Sequence, residues 1–122
     1  MSTKKIIIID DETEILNMLS RFLNKSGKYS VATFSNPVVA IDNLKREKYD
    51  LVLLDIMMPQ MNGLEALEKI IQIRGDQKVI MMTAYSTLDK VLKSHKEGAT
   101  NYVMKPFDSL QALENKIIEV LK

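Results

Sequence analysis

Three short apolar runs constrain the fold of this chain more than any other feature of its sequence. They are Lys5 to Ile9, Leu51 to Leu54 and Lys78 to Met82, and beyond an initial lysine in two of them they contain no polar residue. Strands of this composition are covered on both faces, as in a parallel sheet between two layers of helices. Two weaker segments, Tyr29 to Phe34 and Asn101 to Met104, contain enough β-branched or aromatic residues to be strands nearer a sheet edge. The sequence therefore predicts five strands.

The segments between and after these strands have the period of amphipathic helices, because their apolar residues recur three and four positions apart. The apolar positions are Ile15, Leu16, Leu19, Phe22 and Leu23; Val38, Ile41 and Leu44; Leu64, Leu67, Ile70 and Ile71; Leu88, Val91 and Leu92; and Leu110, Leu113, Ile117, Val120 and Leu121. Strict alternation of strands and helices with short connections favours right-handed crossovers and helices on both faces of one sheet. The predicted fold is therefore α/β, a five-stranded parallel sheet with doubly wound (βα)5 topology.

Local signals mark the ends of several predicted helices. Asn36 precedes a proline, which is typical of a helix start, and Ser86 with Asp89 resembles a capping box. Gly27 and Gly98 follow helical segments, where glycine commonly ends a helix. These signals support the predicted boundaries.

Length and composition limit the classes of function. The 122 residues provide one domain of ordinary size, and 17 basic against 16 acidic side chains leave a formal charge of only +1. Such a balance disfavours direct binding to nucleic acid or to a membrane surface. The chain contains no cysteine, and its start lacks the apolar segment of a signal peptide or membrane span. We therefore expect a cytoplasmic protein without membrane association.

Polar side chains cluster directly after the predicted strands. In an open parallel sheet, ligands bind outside the carboxyl ends of the strands, so these side chains should meet at one edge. They are Asp10, Asp11 and Glu12 after the first strand, Asp55 after the third, Thr83 after the fourth, and Lys105 with Pro106 after the fifth. We therefore expect one functional site at this edge.

Three of these residues, Asp10, Asp11 and Asp55, carry carboxylates that would repel one another without a counter-ion. A hard cation among them removes the repulsion. Mg²⁺ suits a shallow site with one or two directly bound carboxylates, because it keeps several waters and also binds phosphate oxygens. We therefore expect Mg²⁺, with Mn²⁺ as a substitute, whereas Ca²⁺ is disfavoured because the site offers few protein oxygens.

Asp55 is the candidate nucleophile, since it follows the unbroken strand Leu51 to Leu54 and should lie opposite the acidic pair. A carboxylate attacks phosphorus only when the negative charge of the incoming phosphoryl group is neutralised. The ammonium of Lys105, the hydroxyl of Thr83 and Mg²⁺ would supply that neutralisation. The residues thus predict a catalytic group of Asp55, Thr83 and Lys105.

Four motifs, in this order, resemble the receiver domain of two-component response regulators. They are IIIIDDE, DLVLLDIMMPQMNGLE, VIMMTAY and YVMKPF, and the resemblance extends from Lys4 to Leu121. It implies one flavodoxin-like receiver domain over residues 1–122. The chain looks most like the stand-alone regulators of chemotaxis and phosphorelays, although receiver modules cut from longer regulators look the same. The implied function is Mg²⁺-dependent phosphoryl acceptance from a sensor histidine kinase or a histidine phosphotransfer protein.

The resemblance also implies roles for individual residues at the metal. Asp55 becomes the phosphorylated residue and a metal ligand. Asp11 becomes a direct ligand, and Asp10 a ligand largely through water. The main-chain carbonyl of Met57 becomes a further ligand.

Other implied roles concern the response to phosphorylation. Thr83 and Lys105 become phosphate partners, Tyr102 becomes the aromatic switch residue together with Thr83, and the Lys105-Pro106 peptide is implied to be cis. Family members often have aspartate where this chain has Asn62, which is a helix cap in either case.

Met57 and Tyr85 occupy the two positions that vary beside the phosphoryl group in this family. A thioether gives water no useful hydrogen bond, and the tyrosine ring is large enough to cover the approach to phosphorus. We therefore predict a long-lived acyl phosphate.

The implied partners are proteins. The downstream target is expected on the surface of the fourth predicted helix, the fifth strand and the fifth helix, where Lys90, Lys93 and Lys96 suggest an acidic segment. The chain would be a monomer or a phosphorylation-dependent dimer. The chain would not be an enzyme for outside substrates. It would catalyse only its own phosphorylation and dephosphorylation.

Each site residue also has an ordinary explanation when taken alone. Asp10 and Asp11 could cap the first helix, Thr83 could cap the next element, Lys105 could be an exposed lysine, and Tyr102 could be a half-buried strand aromatic. Together, however, they fill every strand end where such a site needs a group, which favours the functional interpretation.

The methionines and the single histidine have ordinary interpretations too. Methionines near the expected site could provide soft packing for moving loops or a redox sensor, but core filling is the preferred interpretation. They are Met57, Met58, Met61, Met81, Met82 and Met104. His95 is interpreted as a surface residue of the fourth predicted helix rather than a ligand or phosphodonor.

Two other classes of protein compete with a phosphorylated switch. Phosphotransferases of the haloacid-dehalogenase type place a second aspartate two residues after the nucleophile as general acid, and here that position is Met57. A pure interaction module that had lost phosphorylation should lack Asp55, one residue of the acidic pair or Lys105, and all are present. Neither a dinucleotide-binding nor a P-loop glycine pattern occurs.

Overall fold

The computed structural model describes residues 3–83, 98–105, 107 and 109–122. Five strands form one sheet: β1 (Lys4–Ile9), β2 (Tyr29–Phe34), β3 (Leu51–Asp55), β4 (Val79–Thr83) and β5 (Asn101–Met104). All neighbouring strands are parallel, and their order is β2-β1-β3-β4-β5. The predicted five-stranded parallel sheet is confirmed.

Over the residues that the structure describes, four helices pack on the two faces of this sheet: α1 (Thr13–Asn24), α2 (Pro37–Arg46), α3 (Gly63–Ile73) and α4 (Leu110–Leu121). The buried apolar residues of α2 and α3 share one core cluster, and those of α1 and α4 share the other. The helix predicted around Leu88 to Leu92 lies outside the described residues. Within the described part of the chain, no helix is both long and apolar enough to cross a membrane.

The central strand β1 explains the unbroken apolar runs. Ile7 and Ile9 belong to the cluster beneath α2 and α3, whereas Ile6 and Ile8 belong to the cluster beneath α1 and α4, and all four side chains are fully buried. Alternate side chains of a strand point to opposite faces, so a strand covered on both faces needs apolar residues at every position. Burial of each isoleucine side chain stabilises the folded state by about 1.5–3 kcal/mol relative to an exposed side chain.

Two strands extend one residue beyond their predicted ends, and the added residues belong to the expected site. Asp55 pairs with Met82 in the register of β3 and β4, and Thr83 pairs with Met104 in the register of β4 and β5. The backbone of both residues is therefore held by the sheet rather than by a loop.

The capping signals are confirmed where the structure describes them. The side-chain oxygen of Asn36 accepts a hydrogen bond from the N–H of Val38 at 2.9 Å and starts α2. Gly27 has a φ of 70° just after α1, a conformation that favours glycine. Gly98 has a φ of 112°, but the helix that it was predicted to end lies outside the described residues. Ser86, with its predicted capping box, lies outside the described residues.

Candidate functional site

The carboxyl edge of the sheet brings the predicted site residues together. Asp10 follows β1 directly, Asp55 ends β3, Thr83 ends β4, and Lys105 follows β5. The side chains of Asp10, Asp55 and Thr83 are buried although they are polar. Burial of polar groups is costly unless each has a partner, so this arrangement marks a specialised site rather than a solvated surface.

The ammonium group of Lys105 lies among three carboxylates. Its Nζ atom is 2.8 Å from Oδ2 of Asp10, 3.0 Å from Oε1 of Glu12 and 3.5 Å from Oδ1 of Asp55. The backbone of Lys105 is fixed as well, because its N–H donates a hydrogen bond to the carbonyl of Thr83. Only 13% of the lysine side chain is exposed, so the charge is directed into the site.

Asp10, Asp11 and Asp55 form a candidate metal site, because each offers a carboxylate oxygen and these atoms lie within 4.8 Å of one another. This donor set of hard oxygens fits the chemistry of Mg²⁺. Asp10 is oriented by the N–H of Glu12, which donates to its Oδ1 at 2.8 Å. The alternative that Asp10 or Asp11 caps α1 is not supported, since Glu12 occupies the cap position and its side chain makes no capping hydrogen bond.

The electrostatics of the site follow from burial and charge. Burial and the neighbouring charge of Asp10 raise the pKa of the Asp55 carboxyl to about 7, against the opposing effect of Lys105. Burial alone would lower the pKa of Lys105, but its hydrogen bond to Asp10 and the charges of Asp55 and Asp10 outweigh that effect and raise it. The lysine therefore stays charged, while Asp55 takes up a proton near neutral pH when no other cation is present.

The loop from β3 to α3 holds the backbone next to Asp55 in place. The N–H of Gly63 donates a hydrogen bond to the carbonyl of Ile56 at 2.6 Å. Asn62 caps α3, as expected: its Oδ1 accepts from the N–H of Glu65 at 3.0 Å, and its Nδ2 donates to Oε1 of Glu65 at 2.9 Å. The loop is thus tied to both the strand and the helix.

The methionines near the site lie in different environments. Met58, Met81 and Met82 are buried in the two core clusters, which confirms core filling for these three. Met57 is different, since it lies on the loop two residues after Asp55 and its side chain is 55% exposed. The role of its main-chain carbonyl as a metal ligand stays a prediction.

Tyr102 lies on β5, partly buried against the core cluster beneath α2 and α3. The Nζ atom of Lys116 is 5.4 Å from the centroid of its ring. Beside it, a groove of about 230 Å³ runs between β5 and α4. The role of Tyr102 as a switch residue stays a prediction.

Two residues of the site were not assigned a role from the sequence. Glu12 forms an ion pair with Lys105, and Gly63 packs against the backbone of Asp55 and Ile56. The Asn-Gly pair in the second motif signals Gly63, but nothing in the sequence signals the ion pair of Glu12. Several residues with predicted roles lie outside the described residues: Tyr85, Lys90, Lys93, His95, Lys96 and Pro106. The cis peptide, the phosphate shielding by Tyr85 and the basic target surface therefore stay predictions.

Known proteins resemble this chain in sequence and in structure. A family model described as response regulator receiver domain matches residues 6–118. Sporulation initiation phosphotransferase F of Bacillus subtilis is 40% identical over 108 residues, which cover 88% of this chain and 86% of that protein. The chemotaxis protein CheY of Thermotoga maritima is 32% identical over 116 residues, 93% of this chain and 97% of that protein.

The structural similarity is as extensive. The crystal structure of a CheY-like response regulator receiver domain protein from Methanospirillum hungatei superposes with a TM-score of 0.92. It is 37% identical in sequence, and the match covers 98% of this chain and 94% of that one.

Proposed function

Because the chain belongs to the response regulator receiver domain family of two-component systems, we propose that it accepts a phosphoryl group on Asp55 and thereby changes a protein-binding surface. The single observation that supports this most strongly is the position of the Lys105 ammonium, 2.8 Å from Asp10 and 3.5 Å from Asp55. A fixed cation beside a buried carboxylate is what a nucleophile needs to approach an anionic donor.

The transfer step uses few groups. A carboxylate oxygen of Asp55 attacks phosphorus, and the bond between phosphorus and the donor histidine nitrogen breaks, so that the donor leaves with the electron pair of that bond. Lys105 and Thr83 stabilise the charge on the phosphoryl oxygens. Asp10, Asp11 and Asp55, with the carbonyl of Met57, would hold Mg²⁺, which supplies further charge neutralisation when bound.

Phosphorylation changes the charge balance of the site. An acyl phosphate carries close to two negative charges where the carboxylate carried one. Lys105, now shared between Asp10 and Glu12, would turn toward the new oxygens, and the hydroxyl of Thr83 would follow. Tyr102 lies on β5, which leads to Lys105. We propose that Tyr102 transmits this change to the surface formed by the helix predicted around Leu88 to Leu92, by β5 and by α4, which is the fifth predicted helix.

Two kinds of protein partner are proposed, a donor of the phosphoryl group and a downstream target. A sensor histidine kinase or a histidine phosphotransfer protein would donate the phosphoryl group, and a downstream protein would bind the surface beside Tyr102. The chain would act in the cytoplasm, as in chemotaxis or a phosphorelay, as a monomer or a phosphorylation-dependent dimer. Its chemistry would be limited to its own phosphorylation and dephosphorylation.

A groove beside the site offers a place for the donor protein to dock. A space of about 500 Å³ between α1 and α4 is lined by Lys105 and by the apolar side chains of Ile15, Met18, Phe107 and Leu110. It continues over Met18 and Leu110 into a second groove along α1. Because the donor histidine must come within bonding distance of Asp55, a protein donor has to contact surface that borders Lys105. We propose that this groove, the α1–α4 groove, is that surface.

The test of the proposed function is phosphorylation by a small donor. Wild-type protein incubated with acetyl phosphate and Mg²⁺ should gain the mass of one phosphoryl group, and Asp55→Asn should gain none. Asp76→Asn is the matched control, because Asp76 is an exposed aspartate that borders a groove beside Lys78, before the start of β4. Full labelling of Asp55→Asn would refute the assignment, and an unlabelled wild type would favour the pure interaction module.

The metal site is tested separately. Asp11→Ala should weaken Mg²⁺ binding more than Asp10→Ala, since of these two aspartates Asp11 is proposed to bind the ion directly and Asp10 largely through water. Titration calorimetry measures both affinities, and equal losses would contradict the proposed ligand roles.

A further inference from the structure

The loop that supports Asp55 contains the only Asn-Gly pair in the sequence, Asn62-Gly63. Glycine has no side chain to obstruct attack by its own main-chain nitrogen on the preceding residue. We propose that Asn62 is a deamidation site whose reaction is slowed by the closed β3–α3 loop, and whose isoaspartyl product disables the phosphoacceptor site. The second half of this proposal rests on the proposed function of Asp55.

The reaction requires only water. The main-chain nitrogen of Gly63 loses its proton and attacks the side-chain carbonyl carbon of Asn62, the bond from that carbon to the amide nitrogen breaks, and ammonia leaves with the proton. Water then opens the resulting succinimide ring at one of its two carbonyl carbons. One product is aspartate, and the other is isoaspartate, in which the main chain runs through the former side chain.

In the folded loop, both reacting groups, the Gly63 nitrogen and the Asn62 side-chain amide, are held by hydrogen bonds. The main-chain N–H of Gly63, whose nitrogen is the attacking atom, donates a hydrogen bond to the carbonyl oxygen of Ile56, and the nitrogen and oxygen are 2.6 Å apart. The amide of Asn62 is held at both ends by Glu65, through its oxygen at 3.0 Å and its nitrogen at 2.9 Å. Ring closure must break these bonds, so it proceeds from a locally opened loop rather than from the closed structure.

The two products have different consequences at Asp55. Aspartate caps a helix as well as asparagine does, so it leaves the start of α3 in place. Isoaspartate adds one carbon to the main chain between Cα of residue 62 and the nitrogen of Gly63, so Gly63 must shift relative to the residue before it. Gly63 already lies in close contact with the backbone of Asp55 and Ile56. A Cβ placed on Gly63 would overlap the carbonyl oxygen of Asp55 and lie 2.5 Å from Cα of Ile56. The isoaspartyl chain therefore displaces the backbone of Asp55.

The kinetic test follows deamidation of purified protein near neutral pH by intact mass and peptide mapping. The native chain should react about tenfold or more slowly than the same chain in urea, since an opening that costs about 1.4 kcal/mol lowers the open population tenfold. Glu65→Ala removes the acceptor of the Asn62 amide nitrogen and should deamidate faster than wild type. Glu65→Gln keeps an acceptor oxygen and should stay close to wild type.

Equal rates in the native state and in urea, or equal rates for Glu65→Ala and wild type, would overturn the protection. Circular dichroism of each variant confirms that the chains compared are folded. These readouts do not involve phosphorylation, so they stand whether or not Asp55 accepts phosphate.

The functional half is tested on separated products. Unmodified protein and Asn62→Asp should both gain a phosphoryl group from acetyl phosphate, and the isoaspartyl form should not. If the isoaspartyl form is labelled as fast as unmodified protein, the coupling to Asp55 is wrong. If the unmodified protein fails as well, it is the proposed function that fails.

Discussion

Gly63 lies directly against the main-chain carbonyl of Asp55. No side chain separates the start of α3 from the end of β3, so the helix packs on the strand backbone to backbone. The position of the candidate phosphoacceptor is therefore set by a residue with no functional group of its own.

This contact makes Gly63→Ala a direct probe of the site. The added methyl group must push against backbone rather than a flexible side chain, and we expect a loss of about 1–3 kcal/mol in the free energy of unfolding together with slower phosphorylation. Urea denaturation and the rate of mass gain measure the two effects. Gly75→Ala is the control, since a Cβ there meets nothing within 4 Å, and its effect should stay within about 0.5 kcal/mol. Similar effects for both glycines would contradict the packing argument.

The raised pKa of Asp55 predicts a pH-dependent stability. The carboxyl titrates near pH 7 in the folded chain, against an ordinary value of 3.8 that we expect in the unfolded chain. Between these values the native state holds the extra proton, so this group's stabilisation is complete below the lower value and is lost as pH rises through the upper one. Without Mg²⁺, Asp55→Asn should then melt at a higher temperature than wild type above pH 7, and the difference should shrink toward pH 4.

The stability gain is limited to about 1.4 kcal/mol for each unit of difference in pKa. Mg²⁺ binds the ionised carboxylate, so it should raise the melting temperature of wild type more than that of Asp55→Asn. A wild type more stable than Asp55→Asn at high pH without Mg²⁺ would show that Asp55 is not destabilised by its charge.

Thr83→Ala should separate phosphorylation from its consequence. The variant keeps Asp55 and Lys105, so we expect it to gain a phosphoryl group, but without the hydroxyl it should not reach the state that binds the downstream protein. Thr33→Ala is the control, because Thr33 is an exposed threonine on the edge strand β2. Binding is compared between phosphorylated wild type and variants, and normal binding by phosphorylated Thr83→Ala would count against the role of the hydroxyl.

The lifetime of the acyl phosphate depends on whether a water molecule can align behind phosphorus. Met57 and Tyr85 should shield that approach, so Met57→Asn and Tyr85→Ala should each speed decay after the donor is removed. A tenfold increase corresponds to only about 1.4 kcal/mol of barrier, which one positioned water can supply. Met61→Asn makes the same chemical change elsewhere in the loop and should not have this effect. Decay of wild type within seconds, or unchanged decay in both variants, would mean that the lifetime is set elsewhere.

The α1–α4 groove predicts different effects with two kinds of donor. Ile15→Ala and Met18→Ala should slow transfer from a protein donor, by about tenfold if each loses about 1.4 kcal/mol of docking energy. Neither should change phosphorylation by acetyl phosphate, which needs no docking surface. Val38→Ala is the control, because this exposed valine lies on α2, on the other face of the sheet. Equal slowing with both donors would place the effect at the site instead of at the groove.

Much of the fold and the site could be predicted because both follow from local pattern. The isoleucines of β1 are apolar at every position, which only a strand covered on both faces requires. In a parallel sheet all strands end at the same edge, so Asp10, Asp55 and Lys105 had to meet once their strands were recognised. The caps at Asn36 and Asn62 were equally readable, since a capping side chain bonds backbone only two or three residues away.

The amino-acid sequence by itself thus determined the elements, the parallel sheet and the set of groups at its carboxyl edge. The tertiary structure alone decided how these groups are used: the ion pair of Glu12 with Lys105, the raised pKa of Asp55 and the contact of Gly63 with the Asp55 carbonyl. The physical reason is distance. Periodicity and capping act over a few residues, whereas ion pairing, desolvation and steric exclusion depend on atoms far apart in the chain, and their separation is fixed only when the layers pack.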